Sequence, residues 1–169
     1  LQMHISPITE KGGFKGVPVA EDILKHKREI DLMTFQGSCY FMLKDYFFTL
    51  GCLDEVNYGS SGKEAQELSC KAWLSGGRVI RDLEVWYAQM RTGRHYSLPK
   101  GERKKSYDYA VDCWLNNKWE KKTRDFSWLI EKFKPAGWEN VKPAKEARKV
   151  FKEIMETAID TTFKEEVKE

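Results

Sequence analysis

"GSSGKEAQELSCKAWLSGG", residues 59–77, decides how the rest of the chain is read. Ser61 and Glu64 fit the S-x-x-E capping box, in which each side chain satisfies a backbone N–H at a helix start. Ala65, Leu68, Ala72 and Trp73 then recur at helical spacing, and Gly76 and Gly77 give the stop. The stretch therefore predicts a helix with two carboxylates, Glu64 and Glu67, near its start. A capped helix alone explains both acids. A site needs support from the flanking segments.

On the upstream side, "TFQGSCYFML" (Thr34–Leu43) is β-branched and aromatic and predicts a buried strand. "KDYFFTLGCLDE" then predicts a short helix over Lys44–Leu50, stopped by Gly51. Downstream, "RVIRDLEVWYA" (Arg78–Ala88) predicts a strand. Val79, Leu83, Val85 and Tyr87 would share one face, with Asp82 and Glu84 on the other. Residues 1–33 read as loop with at most a short helix near Glu21–Glu29. Two strands do not make a stable sheet by themselves. Either the N-terminal loops hide another strand, or the chain is a fragment completing a sheet whose other strands lie elsewhere.

"MRTGRHYSLPKGERKK" (Met90–Lys105) reads as a long basic loop of the kind that carries function. Tyr107, Val111, Trp114 and Leu115 make one helical stripe, and Phe126, Leu129, Ile130 and Phe133 another. After "KPAGWENVKP" breaks the pattern, a last amphipathic helix is expected from about Ala144, carrying Val150, Phe151, Ile154, Met155, Ala158 and Ile159. It would dock on its own domain or on a partner.

The chain has 169 residues, 41% hydrophobic and 33% charged, which describes a globular domain rather than a disordered one. No apolar run approaches the roughly 18 residues of a membrane span, so no membrane span is expected. The opening "LQMHISPITEKGG" lacks the layout of a signal peptide. Cys39, Cys52, Cys70 and Cys113 are scattered without a CxxC pair, which argues against a zinc site and a disulfide framework. The expected setting is a reducing one, the cytoplasm. Residues 100–152 carry fifteen basic groups against eight acidic ones. Such a block attracts phosphate or nucleic acid, or is simply a solvated surface. No nucleic-acid motif accompanies it, so nucleic acid is not expected as a partner.

Four segments in order carry a resemblance: "FQGSCYFM", "KDYFFTLGCLDE", "GSSGKEAQELSCKAW" and "SGGRVIRDLEVWYAQM". Together they resemble the C-terminal, acceptor-side half of the catalytic domain in GT-A glycosyltransferases. The likeness is to family 2-like enzymes and to the C-terminal region of the galactosyltransferases and N-acetylgalactosaminyltransferases. It covers about one third of the chain. It implies an α/β fold: a partial GT-A-like (Rossmann-like) sheet with flanking helices and a helical C-terminal extension. Residues 1–99 would be the partial catalytic region, and 100–169 the basic loop and extension.

The resemblance also implies a chemistry. A sugar would pass from a nucleotide-sugar donor, such as a UDP-sugar, to a hydroxyl of a glycan, protein or small-molecule acceptor. Glu64 and Glu67 are the candidate catalytic carboxylates, since acids at a helix start can hydrogen-bond sugar hydroxyls or take a proton. Gln36, Gly37, Ser38, Gly62 and Trp73 would bind substrate, glycine letting the sugar approach the backbone. Arg91, Arg94, Lys100 and Arg103 would bind the diphosphate. Gln89 and His95 are the candidate ligands of a Mn²⁺ or Mg²⁺ ion that would stabilise the leaving group. Three positions depart from the pattern. Ala65 stands where inverting relatives carry a general base, Gln89 where they carry a metal-binding His, and the sequence has no D-x-D. A nucleotide-binding half N-terminal to this one is therefore expected as a partner. The rival reading is a non-catalytic carbohydrate-binding or assembly module that keeps part of the fold.

Overall fold

The computed structural model describes residues 2–5, 14–17, 27–59, 63–88, 90, 101–135 and 138. Strands β1 (Gln2–Ile5) and β2 (Phe14–Val17) pair antiparallel, with Gln2 opposite Val17 and Ile5 opposite Phe14. Strand β3 (Glu29–Asp31) pairs antiparallel with β4 (Ile80–Asp82), with Ile30 opposite Arg81. Residues 1–33, expected as loop with at most a short helix, thus supply three strands among the described residues. The predicted helix near Glu21–Glu29 meets the described residues at its end, where Glu29 opens β3; residues 21–26 lie outside them. The partner of the downstream strand is thus β3 rather than the expected Thr34–Leu43, and among the described residues this sheet has two strands. Backbone bonds extend the β3–β4 ladder at both ends, Leu32 N–H donating to Val79 O and Leu83 N–H to Arg28 O.

Among the described residues five helices form: α1 (Lys44–Thr49), α2 (Glu55–Tyr58), α3 (Glu64–Leu74), α4 (Glu102–Leu115) and α5 (Phe126–Phe133). The described residues therefore form a mixed helix-and-strand fold. Among them every strand pairing is antiparallel.

Helix α3 is the axis of the core. Leu68, Cys70, Ala72, Trp73 and Leu74 are each almost fully buried. The Trp73 ring lies 5.3 Å from Phe133 and 6.1 Å from Trp128, centroid to centroid, so α5 packs on this helix. Its indole N–H donates to Leu32 O at 2.9 Å, fastening the end of β3 to the same point. Trp114 of α4 donates to Tyr58 OH at 2.7 Å. Trp138 donates to Ile5 O at 2.9 Å and closes the core over β1. Each of these three tryptophans thus buries a ring and satisfies its one donor.

The expected glycine stop of α3 is present. Gly76 takes φ +97°, Gly77 N–H donates to Ala72 O and Gly76 N–H to Trp73 O, which is a Schellman turn. The remaining Leu74 carbonyl accepts from Thr123 and Arg124 N–H. Helix α1 ends the same way at Gly51, as the sequence led one to expect.

Four boundaries differ from the sequence reading. Helix α3 starts at Glu64 with Lys63 as its cap, so Glu64 is its first residue and not the third residue of a capping box. The expected buried strand Thr34–Leu43 is irregular: beyond Thr34 the chain turns at Gly37–Ser38, and Phe41 and Leu43 are 94% and 80% exposed. Among the described residues the sheet pairs β3 with β4, and the 35–43 segment joins neither. The expected strand Arg78–Ala88 shortens to Ile80–Asp82 because Asp82 accepts from Glu84 N–H at 2.9 Å, an Asx turn that redirects the chain. Finally, Glu102–Lys105, read as loop, is the first turn of α4, and Gly101 ahead of it takes φ +88°. Helices α4 and α5 form where the periodicity placed them, with Trp114, Leu115, Phe126, Leu129, Ile130 and Phe133 in or against the core. The last helix expected from Ala144 lies outside the described residues. No helix among them is long and apolar enough to cross a membrane.

Candidate functional site

The turn at Gly37 sits against the start of α3. A Cβ at position 37 would overlap the Oε1 of Glu64 and stand 3.1 Å from its Cδ. The Glu64 carboxylate therefore fills the room a side chain at 37 would need, and the missing Cβ permits the approach. Thr34 fixes the near end of this turn, its hydroxyl donating to Ala65 O at 3.3 Å and accepting from Ser69 at 3.2 Å. On the far side, Ser38 hydrogen-bonds the phenol of Tyr87, 49 residues away. Gln36 is exposed and Glu64 partly so. The result is a partly exposed carboxylate at a helix N-terminus, set against a glycine turn that Ser38 ties to Tyr87. A carboxylate so placed can accept from the hydroxyls of a polyol.

Glu67, three residues on, does something else. It is 1% exposed. Its Oε1 accepts from the backbone N–H of Asp54 at 2.8 Å and from Lys71 Nζ at 2.5 Å. Lys71 Nζ also donates to Cys52 O at 2.7 Å. Burial pushes the Glu67 carboxyl above its usual range, against the opposing pull of Lys71. The two expected catalytic carboxylates are thus divided between a surface notch and a buried ion pair.

That ion pair lies under a cleft of about 460 Å³ whose walls include Asp54, Tyr109, Cys113, Trp119 and Lys121. Asp54 caps α2 by accepting from Asn57 N–H at 3.0 Å, and it accepts from Tyr109 OH at 2.6 Å. Burial opposes its charge, yet the bonds from Tyr109 and Asn57 outweigh burial and hold its carboxyl below the usual range. Desolvation and the bond to Asp54 push the Tyr109 phenol up. Sequence reasoning missed this cluster. The D-x-x-N cap at Asp54–Asn57 and the i,i+4 spacing of Glu67 and Lys71 were its only local signals.

The structure brings Gln36, Gly37, Ser38 and Glu64 together. Trp73, expected to bind substrate, is instead core, at 1% exposure. Arg103, expected in a diphosphate loop, falls within α4. Gly62, Gln89, Arg91, Arg94, His95 and Lys100 lie outside the described residues. Among the described residues, no three His, Cys, Asp or Glu side chains gather to hold a metal ion. No family model matches the chain, and neither a curated protein nor a solved structure matches it.

Proposed function

We propose that this chain is the acceptor-side part of a nucleotide-sugar-dependent glycosyltransferase with a GT-A-like arrangement. Glu64 is the carboxylate that holds sugar hydroxyls, and the Gly37 turn forms the floor beneath the sugar. What supports the reading is the placement of Gly37 directly against Glu64. Two segments picked out by the motif series, 27 residues apart, share one notch. The donor is a UDP-sugar and the acceptor a hydroxyl compound. A Mn²⁺ or Mg²⁺ ion would supply charge stabilisation at the departing diphosphate. The four free cysteines suit a reducing compartment, the cytoplasm.

The test is UDP release by the full-length protein from UDP-glucose, UDP-galactose and their N-acetylated forms with Mn²⁺. Glu64→Ala should lower turnover at least about 100-fold, the usual scale for losing a group that acts in the transition state. Unchanged turnover in that variant would remove Glu64 from the site.

One observation favours the rival reading, a non-catalytic carbohydrate-binding or assembly module. Ala65, at the position of the inverting base, is 4% exposed, and its carbonyl accepts from the buried Thr34. An acid there would point into packing rather than at a substrate. Calorimetry separates the two readings. The enzyme shows Mn²⁺-linked binding of UDP-sugars, whereas the module binds free glycans without nucleotide or metal.

A further inference from the structure

The Gly37 turn has few anchors. Thr34 is fixed by buried hydrogen bonds, and order returns at Lys44, where α1 begins. Between them, burial does little. Phe41 is 94% exposed, Leu43 80% and Tyr40 41%. Phe35 and Tyr40 stack on each other with centroids 4.9 Å apart, which is local and ties the turn to nothing else. Among the described residues, the one side-chain hydrogen bond from 35–43 to a distant segment is Ser38 to Tyr87. Tyr87 is itself delivered there by the Asx turn at Asp82–Glu84, which ends β4 and sends the chain along the surface toward the Gly37 turn. The Glu64 side chain carries no hydrogen bond among the described residues. Its carboxylate lies against Gly37, in the room a Cβ there would take. Whatever holds the turn therefore also sets where the Glu64 carboxylate stands.

We propose that Tyr87 is a positioning residue for the sugar notch: its phenol latches Ser38, the latch holds the 35–40 turn on α3, and the turn holds the Glu64 carboxylate in place. The proposal rests on the glycosyltransferase reading for its functional consequence, while the latch itself is a property of the fold. Tyr87 acts through Ser38 and Gly37 and touches no reacting atom. With the hydrogen bond gone, the turn samples open positions, and only the closed fraction presents Glu64 correctly. Apparent affinity for the sugar falls by that fraction. Chemistry in the closed fraction is unchanged.

The test uses Tyr87→Phe, Ser38→Ala and the double variant in the full-length protein. Two readouts are taken: UDP release from the four UDP-hexoses named above, and amide hydrogen exchange at residues 37–39. For Tyr87→Phe a single exposed hydrogen bond sets the scale, so the expected rise in KM for the sugar is roughly fivefold, with kcat within about twofold of wild type. Exchange at 37–39 should accelerate by a similar factor. The double variant should match either single one, since both remove the same bond. Tyr87→Leu should behave as Tyr87→Phe, because only the hydroxyl matters.

The outcomes separate the two ideas. If wild type turns over sugar and Glu64→Ala does not, while Tyr87→Phe leaves KM unchanged, the latch is overturned and the glycosyltransferase reading stands. If wild type uses none of the donors, that reading falls, and exchange alone judges the latch: faster exchange in both single variants supports it, and unchanged exchange overturns it. Additive losses in the double variant also overturn it, because Ser38 and Tyr87 would then act separately.

Discussion

The carboxylate of Glu67 and the ammonium of Lys71 lie 2.5 Å apart, one turn along α3, with side chains 2% and 6% exposed. Their remaining bonds, to Asp54 N–H and Cys52 O, fasten the segment before α2 to the middle of α3. The pair therefore acts as a clamp between a loop and the central helix. Removing one partner strands a charge away from water, which costs about 3–5 kcal/mol. Glu67→Ala and Lys71→Ala should each lose that much in urea unfolding. The double change Glu67→Leu with Lys71→Met leaves no orphan charge and should cost less than either single alanine. A double variant as damaged as the sum of the singles would deny the clamp.

The same cluster sets two opposed slopes in stability against pH. The Glu67 carboxyl is raised by burial above its ordinary value of 4.5. In that window the folded protein holds a proton that the unfolded chain has lost. Stability therefore falls as pH rises from about 4.5 through the folded value. Asp54 is lowered from 3.8 by Tyr109 and Asn57 against the opposing effect of burial. Its stabilising contribution is present above 3.8 and is lost as pH falls through the lower folded value. Urea midpoints across pH 2–7 (about 0.5 unit apart) should show Asp54→Asn flattening the acid limb. Glu67→Gln should flatten the decline above 4.5.

Most helices were legible in this sequence, though not α2; of the strands only β4 was, as a short core of the expected Arg78–Ala88. The stripes Trp114–Leu115 and Phe126–Phe133 each bury one side of a helix, so their periodicity survived in the fold. Gly51 and Gly76 punctuated as expected because only a left-handed residue closes those Schellman turns cheaply. The segment Thr34–Leu43 misled because β-branched and aromatic composition reports fit to a half-buried pleated surface, and here Phe41 and Leu43 stay exposed on a turn instead. Strand β3 hid because three residues, Glu29–Asp31, are too few to show alternation. For the site, Glu64 and Gly37 could be singled out from local motifs. Tyr87 and the Asp54–Tyr109 pair could not, since their partners lie 49 and 55 residues away.

Gly37 and Gly77 should part company when each is changed to alanine. At 37 the new methyl group meets the free end of the Glu64 side chain, which can swing away. Stability should stay within about 0.5 kcal/mol of wild type, as for most exposed changes. Sugar binding, read by calorimetry, should be lost with the displaced carboxylate. At 77 the methyl group meets the Tyr46 hydroxyl and stands 3.0 Å from the backbone oxygen of Ala72, inside the Schellman turn. Backbone cannot swing away, so the cost should be about 1–3 kcal/mol, as for overpacking. Equal losses of stability at the two glycines would contradict these contacts.

Trp73 tests whether the core assignment replaces the substrate-binding one. Its ring packs against Trp128 and Phe133, Lys132 Nζ stands 4.9 Å over it, and its N–H satisfies the carbonyl of buried Leu32. Trp73→Phe keeps most ring contacts and orphans that carbonyl, a loss of about 1–3 kcal/mol. Trp73→Ala adds a cavity and should cost about 3–5 kcal/mol. Trp86, 83% exposed, is the control, and Trp86→Phe should stay within about 0.5 kcal/mol. The distinguishing measurement compares unfolding with sugar affinity at matched temperature. A core Trp73 gives a Phe variant that unfolds earlier but binds sugar normally while folded. A substrate-binding Trp73 gives the reverse, full stability with weakened binding.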